Sequence, residues 1–260
     1  MDEIVIFNQR PIGGFLYHYA HFIQDCMFPE IVHLQTYHSK NIVRKYNVRN
    51  HLGGFQEFYE KMLNVKVIYL TEQEFKTKKK STKNFKKTYG FLWTLYNIPF
   101  SIYKFQKYIY KKIRLSKVSF KKYDIILIER GVKKLIDDFT DKTLTGSQRR
   151  EMVEINRVEN FVKKESKKKN MTYLRVQLEH VSFEEQVFLF YHAHLIIGIH
   201  GAGLSNLLFC QKYTKVIEIR PIISNYFSEI SKFIPLLHFQ CKNNYWSIVD
   251  KIRILLNMQV

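Results

Sequence analysis

The chain has 260 residues, 46% of them hydrophobic and 15% aromatic, and its 42 lysines and arginines against 23 acidic residues give a formal charge of +19. That apolar content excludes a disordered chain, and no run approaches the ~18–20 apolar residues of a membrane span. Cys26, Cys210 and Cys241 are far apart, with no CxxC, which excludes a disulfide framework and a cysteine zinc site and reads as buried free thiols.

The length is comfortable for two small domains. Residues 1–10 run acidic, apolar, then basic, unlike a signal peptide, so a soluble cytoplasmic protein is expected. The charge excess lies in lysine runs at 76–80, 83–87 and 163–169. These read as a solvated face or as a site for a polyanion.

Residues 4–7 open as a strand, and Gly13-Gly14 ends it. Residues 15–35 keep helical spacing, with a kink or break expected at Pro29. A helix follows at 55–63 and a strand at 65–70. The lysine-rich stretch 72–88 reads as a loop, and 103–115 as a basic amphipathic helix. From residue 123 the pattern sharpens. Strands are expected at 123–129, 172–179, 195–199 and 216–219, and helices at 148–164, 183–193 and 204–209. Ser182 with Glu185 has the spacing of a capping box. Residues 246–258 close as a helix. Such alternation predicts a parallel sheet covered by helices on both faces. The first half is a looser version of the same scheme, so two α/β units with a cleft between them are expected. Their bounds are 1–120 and 121–240, with 241–260 as a closing helix.

The sharpest chemical signal is the run Ile199-His200-Gly201-Ala202-Gly203-Leu204-Ser205-Asn206. A buried strand enters a glycine turn and then a helix. Unpaired N–H groups at such a start, with small residues beside them, suit a diphosphate; a tight strand-to-helix turn is the alternative. His200 can donate to a phosphate oxygen. Glu218, inside the next strand, can accept from ribose hydroxyls or stand at an exposed edge. Arg130 ends the strand at 123–129 and is followed by Lys133 and Lys134. These cations can neutralise a leaving diphosphate or form a surface turn. His21 and Asp25, four apart, share a helix face and suit general-base work, or form a surface pair.

In this combination and order the chain resembles glycosyltransferase family 61, which includes protein O-linked N-acetylglucosaminyltransferases and plant β-1,2-xylosyltransferases. The match is carried by His200-Gly201-Ala202-Gly203-Leu204 with Asn206, Phe209, Val216, Glu218 and Pro221. His21, Asp25 and Pro29, and Arg130 with the basic pair after it, extend it. The resemblance implies a GT-B-type fold of two Rossmann-like halves. It implies an inverting transfer from a nucleotide-sugar co-substrate, UDP-linked N-acetylglucosamine or xylose, to a hydroxyl of a glycan or protein. No cofactor and no obligatory metal are implied. Donor contacts would come from Arg130, Lys133, Lys134, His200, Gly201, Ala202, Gly203, Leu204, Asn206 and Glu218, and the base would be His21 or Asp25. The family commonly carries arginines and an asparagine after the first arginine. This chain has Lys133, Lys134 and Asp137 instead, which keep positive charge at the pair but lose the bidentate fork. A viral or bacterial cytosolic enzyme fits the lack of an anchor in the sequence. A basic nucleic-acid-binding protein and an inactive glycosyltransferase-like binding protein rank behind this reading.

Overall fold

The computed structural model describes residues 4–8, 19–45, 52, 54–130, 151–220 and 226–258. The chain divides into two compact units, Met1–Lys117 and Val118–Val260. Each holds a parallel sheet. Among the described residues, no helix is long and apolar enough to cross a membrane.

In the first unit the strands are β1 (Val5–Asn8), β2 (Asn41–Lys45), β3 (Lys66–Leu70) and β4 (Phe85–Thr88), in the order β3-β2-β1-β4. The helices are α1 (Tyr19–Phe22), α2 (Phe28–Tyr37), α3 (Gly54–Leu63), α4 (Glu72–Ser81), α5 (Phe91–Asn97) and α6 (Ser101–Lys112). Alternation sorts the side chains of each strand to two faces. Phe7 and Val43 meet Phe75 of α4 on one face, with the Phe7 and Phe75 rings edge to face at 5.3 Å. Arg44 points to the other face, toward α2 and α3.

Arg44 is fully buried, and its guanidinium is gripped from several sides. Its Nε and Nη2 donate to both oxygens of Glu30, at 2.8 and 2.6 Å. Its Nη1 donates to Glu60 at 2.8 Å and to Tyr69 Oη at 2.7 Å. Tyr59 Oη and Asn8 Nδ2 complete the shell of Glu30, at 3.0 and 2.9 Å. A buried carboxylate and guanidinium are tolerated here because these partners replace water.

Pro29 does not break the helix. It sits in the first turn of α2, where the fixed φ of proline is tolerated and only its missing N–H has to be replaced. The irregularity falls before it, as a π-helical turn over Ile23–Met27 in which Phe28 N–H reaches back to Ile23 O. Pro29 has no N–H to give Asp25 O, and Asn8 Nδ2 donates to that carbonyl instead, at 3.2 Å. One asparagine at the end of β1 thereby repairs the ladder and touches Glu30.

The stretch expected as a loop, 72–88, instead forms α4 and β4. Thr71 and Glu74 make a full capping box, acidic residues fill the first turn and lysines the last, and Phe75 anchors the helix. Strand β2 and helix α5 were also not expected.

The second unit has β5 (Ile125–Glu129), β6 (Tyr173–Gln177), β7 (Leu195–Ile199), β8 (Lys215–Arg220) and β9 (Leu237–Lys242), ordered β6-β5-β7-β8-β9. Its helices are α7 (Ile155–Lys168), α8 (Phe183–His192), α9 (Tyr226–Phe233) and α10 (Tyr245–Asn257), with a 3-10 helix at Ala202–Phe209. Odd-numbered residues of the central strands, such as Leu127, Ile197 and Ile219, pack with α7 and α10. Gly198 and Ile128 lie against Leu204 and the 3-10 helix on the other face. Ser182 caps α8 by accepting Glu185 N–H at 3.2 Å. Helix α7 begins at Ile155, later than residue 148, and α9 and β9 are additions to the sequence-based elements. All three cysteines are buried and free.

The energetic centre of the first unit is testable. Arg44→Ala leaves Glu30 buried without its cation and is expected to lower stability by roughly 3–5 kcal/mol. The combined Glu30→Leu/Arg44→Met variant is expected to regain part of that loss. Urea unfolding midpoints of the three proteins give the comparison.

Candidate functional site

The order β6-β5-β7-β8-β9 reverses direction between β5 and β7. The chain leaves these two strands toward opposite sides, so their carboxyl ends open a crevice. Arg130 directly follows β5, and His200 directly follows β7. The register pairs Ile128 with Gly198, which brings the next residues of both strands side by side.

Arg130 lies on Gly201. A Cβ built at Gly201 would stand 2.9 Å from both Cζ and Nη1 of Arg130. The backbone at Gly201 is extended (φ 165°), so the need for glycine is steric and comes from the guanidinium. At Gly203 a Cβ would meet Leu178 Cδ1 at 3.0 Å. Ala202 and Gly203 occupy the first turn of the 3-10 helix, where N–H groups have no intrahelical partner. A planar cation, an imidazole and a helix start thus converge at one strand edge. That set can hold an anion with at least two phosphoryl groups.

Behind His200 lies Glu218, with no solvent exposure. His200 Nδ1 makes a short hydrogen bond to Glu218 Oε1. Gln240 Nε2 donates to Glu218 Oε2 at 3.0 Å. His238 Nε2 stands 2.9 Å from the same oxygen, but its angle is poor for a hydrogen bond, so the contact is chiefly electrostatic. Burial pushes the Glu218 carboxyl up, but His200, His238 and Gln240 outweigh it and hold it at about 2. His238 is itself met by Ser231 at 3.0 Å. The His200 ring packs edge to face on Phe227 of α9, at 5.0 Å. His200 is therefore fixed by a carboxylate on one nitrogen and a ring on its side.

The remaining sequence-derived residues fall into three groups. Leu204 and Asn206 turn into the core, where Asn206 Nδ2 donates to Gln186 at 2.7 Å. Gln186 Nε2 in turn donates to Leu178 O and Val181 O. Both residues shape the turn from beneath. Lys133 and Lys134 lie outside the described residues. His21 and Asp25 belong to the first unit, with Nδ1 and Oδ2 at 3.6 Å. The imidazole is 45% exposed and the carboxylate 8%, so the histidine faces outward with the aspartate behind it. Asp25 sits in the π-helical turn that Asn8 secures.

Sequence reasoning missed His238, Gln240, Phe227 and Asn8. The alternation Leu237-His238-Phe239-Gln240-Cys241 was the available signal for the first two. It places both polar side chains on one face of a strand, and the register sets Gln240 opposite Glu218.

A groove of about 650 Å³ runs between α7 and α10, lined by Arg157, Arg253 and Trp246 among others. It lies on the sheet face away from His200. Arg157 pairs with Glu154 and Arg253 with Asp250, so its charge is largely internal. It is a poorer anion site than the crevice at Arg130.

Comparison with known proteins identifies the family. The model of the family described as glycosyltransferase 61 matches residues 19–217, which includes β5, β7 and the segment after it. No curated protein matches the chain. With most of its length matched by that model, and with the cation, imidazole and glycine turn assembled at one sheet edge, the chain belongs to glycosyltransferase family 61 and is a glycosyltransferase.

Proposed function

We propose that the protein transfers a sugar, with inversion, from a UDP-linked donor to a hydroxyl of a glycan or protein, and that the second unit holds the donor. The observation that carries this reading is the Arg130 guanidinium resting on Gly201 at the switch point of the sheet. N-acetylglucosamine and xylose are the donor sugars that the family resemblance favours.

In this reading Arg130 and the N–H groups of Ala202 and Gly203 bind the diphosphate, and His200 donates to it through Nε2. Glu218 acts through His200. Its Nδ1 contact fixes the ring, and Nε2 is the nitrogen assigned to the diphosphate in this reading. Lys133 and Lys134 add positive charge to the same donor. Leu204 and Asn206 hold the turn in shape, and the ribose falls to the edge near Glu218. The acceptor oxygen attacks the anomeric carbon as the sugar–phosphate bond breaks. The nucleoside diphosphate leaves with the bonding electron pair, and the acceptor proton passes to the base. His21 is the proposed base, oriented by Asp25, because the imidazole is the exposed member of the pair. Protein cations take the developing charge, so no obligatory metal is required.

Calorimetric titration with UDP, GDP and CMP, each with and without EDTA, tests the donor site. UDP is expected to bind in both conditions. Arg130→Ala is expected to lower turnover by roughly 100-fold or more with an unchanged melting temperature. Gly201→Ala displaces only the flexible end of Arg130, so it should fold normally and weaken UDP by about tenfold. Equal UDP affinity in all three proteins would refute the assignment.

Asp25→Asn separates the two units' roles. It is expected to lower turnover while leaving UDP affinity as in the parent. A parallel loss of UDP binding would instead tie Asp25 to the donor.

Glu218 also gives a pH signature. Its folded value lies near 2, below the usual carboxylate value of 4.5. The ionised form therefore stabilises the fold by roughly 3 kcal/mol above pH ~4.5, and that contribution fades as pH falls toward 2. Glu218→Gln is expected to be less stable than the parent at neutral pH, with the gap narrowing through that window. Its turnover should drop roughly 10–100-fold because His200 loses its anchor. A gap that is constant from pH 7 to 3 would remove the carboxylate from this role.

A further inference from the structure

The first unit carries an outward surface that neither donor nor acceptor chemistry uses. Six large hydrophobic side chains stand exposed between residues 89 and 103: Tyr89, Leu92, Trp93, Tyr96, Phe100 and Tyr103. They lie just before α5, on α5, on the turn after it and on the start of α6. The inner faces of both helices are already satisfied. Phe91 and Phe105 pack their rings on Phe28 at 4.9 and 5.1 Å, and Leu95, Ile102 and Ile109 are buried. The six exposed residues are thus a second apolar face, not an unfinished core.

The tip of this helical hairpin is Phe100, 80% exposed and in the left-handed region at φ 55°. A bulky residue adopts that conformation at a cost, and here its side chain gains no burial in return. Trp93 is held by its neighbours, at 4.7 Å from the Tyr89 ring and 6.5 Å from His33. Below the tip, the exposed side of α6 turns basic, with Lys107 and Lys111 following Tyr103 at helical spacing, and the exposed Arg114 comes just past its end. Between residues 75 and 117 the sequence has thirteen lysines and arginines and no aspartate or glutamate.

We propose that the α5–α6 hairpin docks on an anionic lipid bilayer, with the six aromatic and aliphatic side chains entering the interfacial layer and the α6 cations resting on the headgroups. Aromatic side chains with one polar end suit that layer, and lysine stems reach past it to place their charge in water. An acid-free basic segment is attracted to anionic headgroups. The chemistry favours a bilayer over a nucleic acid. Twelve of the thirteen cations are lysine, which lacks the planar fork that phosphodiester recognition exploits. The exposed apolar residues lie along two helices and the turn between them, whereas single-stranded nucleic acid is tracked along a groove.

Flotation of the full chain with vesicles tests this. One set is phosphatidylcholine alone and the other contains about a third phosphatidylserine. The protein is expected to float with the second set and to remain in solution with the first. Tyr96→Ser/Phe100→Ser and, separately, Lys107→Glu/Lys111→Glu are expected to lower flotation by about tenfold or more, with UDP binding unchanged. In a Trp246→Phe background Trp93 is the sole tryptophan, and its emission should shift to the blue on vesicles. No flotation with phosphatidylserine, equal flotation with both sets, or flotation unaffected by Tyr96→Ser/Phe100→Ser would overturn the proposal. So would preferential binding to a single-stranded RNA oligonucleotide that survives those two substitutions.

Discussion

Parallel pairing is the constraint on which both units depend. Strands that all run one way send every strand end to one edge of their sheet. Functional side chains placed just after strands then gather without any local sequence contact. In the second unit this brings Arg130, after β5, onto Gly201, after β7. Glu218 and Arg220 of β8 and Gln240 of β9 lie toward the same end, and His238 reaches Glu218 from nearer the start of β9. In the first unit Asn8, the last residue of β1, performs the equivalent task, bonding to Asp25 O and Glu30 together. The order β3-β2-β1-β4 places its own reversal between β1 and β4, so Asn8 sits at that unit's switch point.

Among the described residues each unit buries one carboxylate completely, and the two are used differently. Glu30 meets a permanent cation in Arg44, with two oxygens and two nitrogens in register. Such a pair contributes little net stability compared with apolar packing, yet it specifies geometry, because either partner alone is strongly unfavourable. Its position ties α2, α3, β2 and the end of β1 into one arrangement, and thereby fixes the π-helical turn that carries Asp25. Burial of the network also pushes the Tyr59 hydroxyl and the Cys26 thiol up, so both stay neutral. Glu218 instead meets two imidazoles, whose charge is adjustable, and a neutral carboxamide. A carboxylate held this way orients the His200 ring.

The sequence revealed the second unit better than the first for a physical reason. Strands β5 and β7 are buried on both faces, so they appear as unbroken apolar runs such as Ile125-Ile126-Leu127-Ile128, and β8 is interrupted only by Glu218. Their glycine and arginine ends are then easy to see. Strand β2 carries the charged Arg44 inside it, and β4 is Phe-Lys-Lys-Thr. Neither shows a run, because a buried ion pair and a solvated edge replace apolar contacts. Helix α4 was hidden by its mean composition. One anchor, Phe75, and a capping box outweigh its lysines. The opposite error occurred at Pro29, where the residue type suggested a break and the actual fault lay one turn earlier. His200, Gly201 and Arg130 were legible because a glycine turn after an apolar strand leaves a local mark. His238 and Gln240 were not, because their importance arises only from a register partner in another strand.

The distribution of lysine is harder to attribute to composition alone. A biased composition would raise lysine throughout and would not remove acids from one segment. Several lysines of the first unit sit over aromatic rings: Lys86 over Tyr37, Lys107 over Tyr103 and Lys112 over Tyr108, at 5.0–5.7 Å. Rings cover the stems and attract the ammonium without cancelling its charge. A carboxylate in the same place would neutralise it. The segment therefore retains a positive field that, at ~0.1 M salt, reaches about 10 Å. Self-repulsion of this kind destabilises a fold. The first unit offsets it with interior aromatic packing on Phe28, while the Arg44–Glu30 network fixes the geometry. Stability and surface charge are thus carried by separate parts of the unit, which leaves the α5–α6 face free to be shaped by what it meets outside.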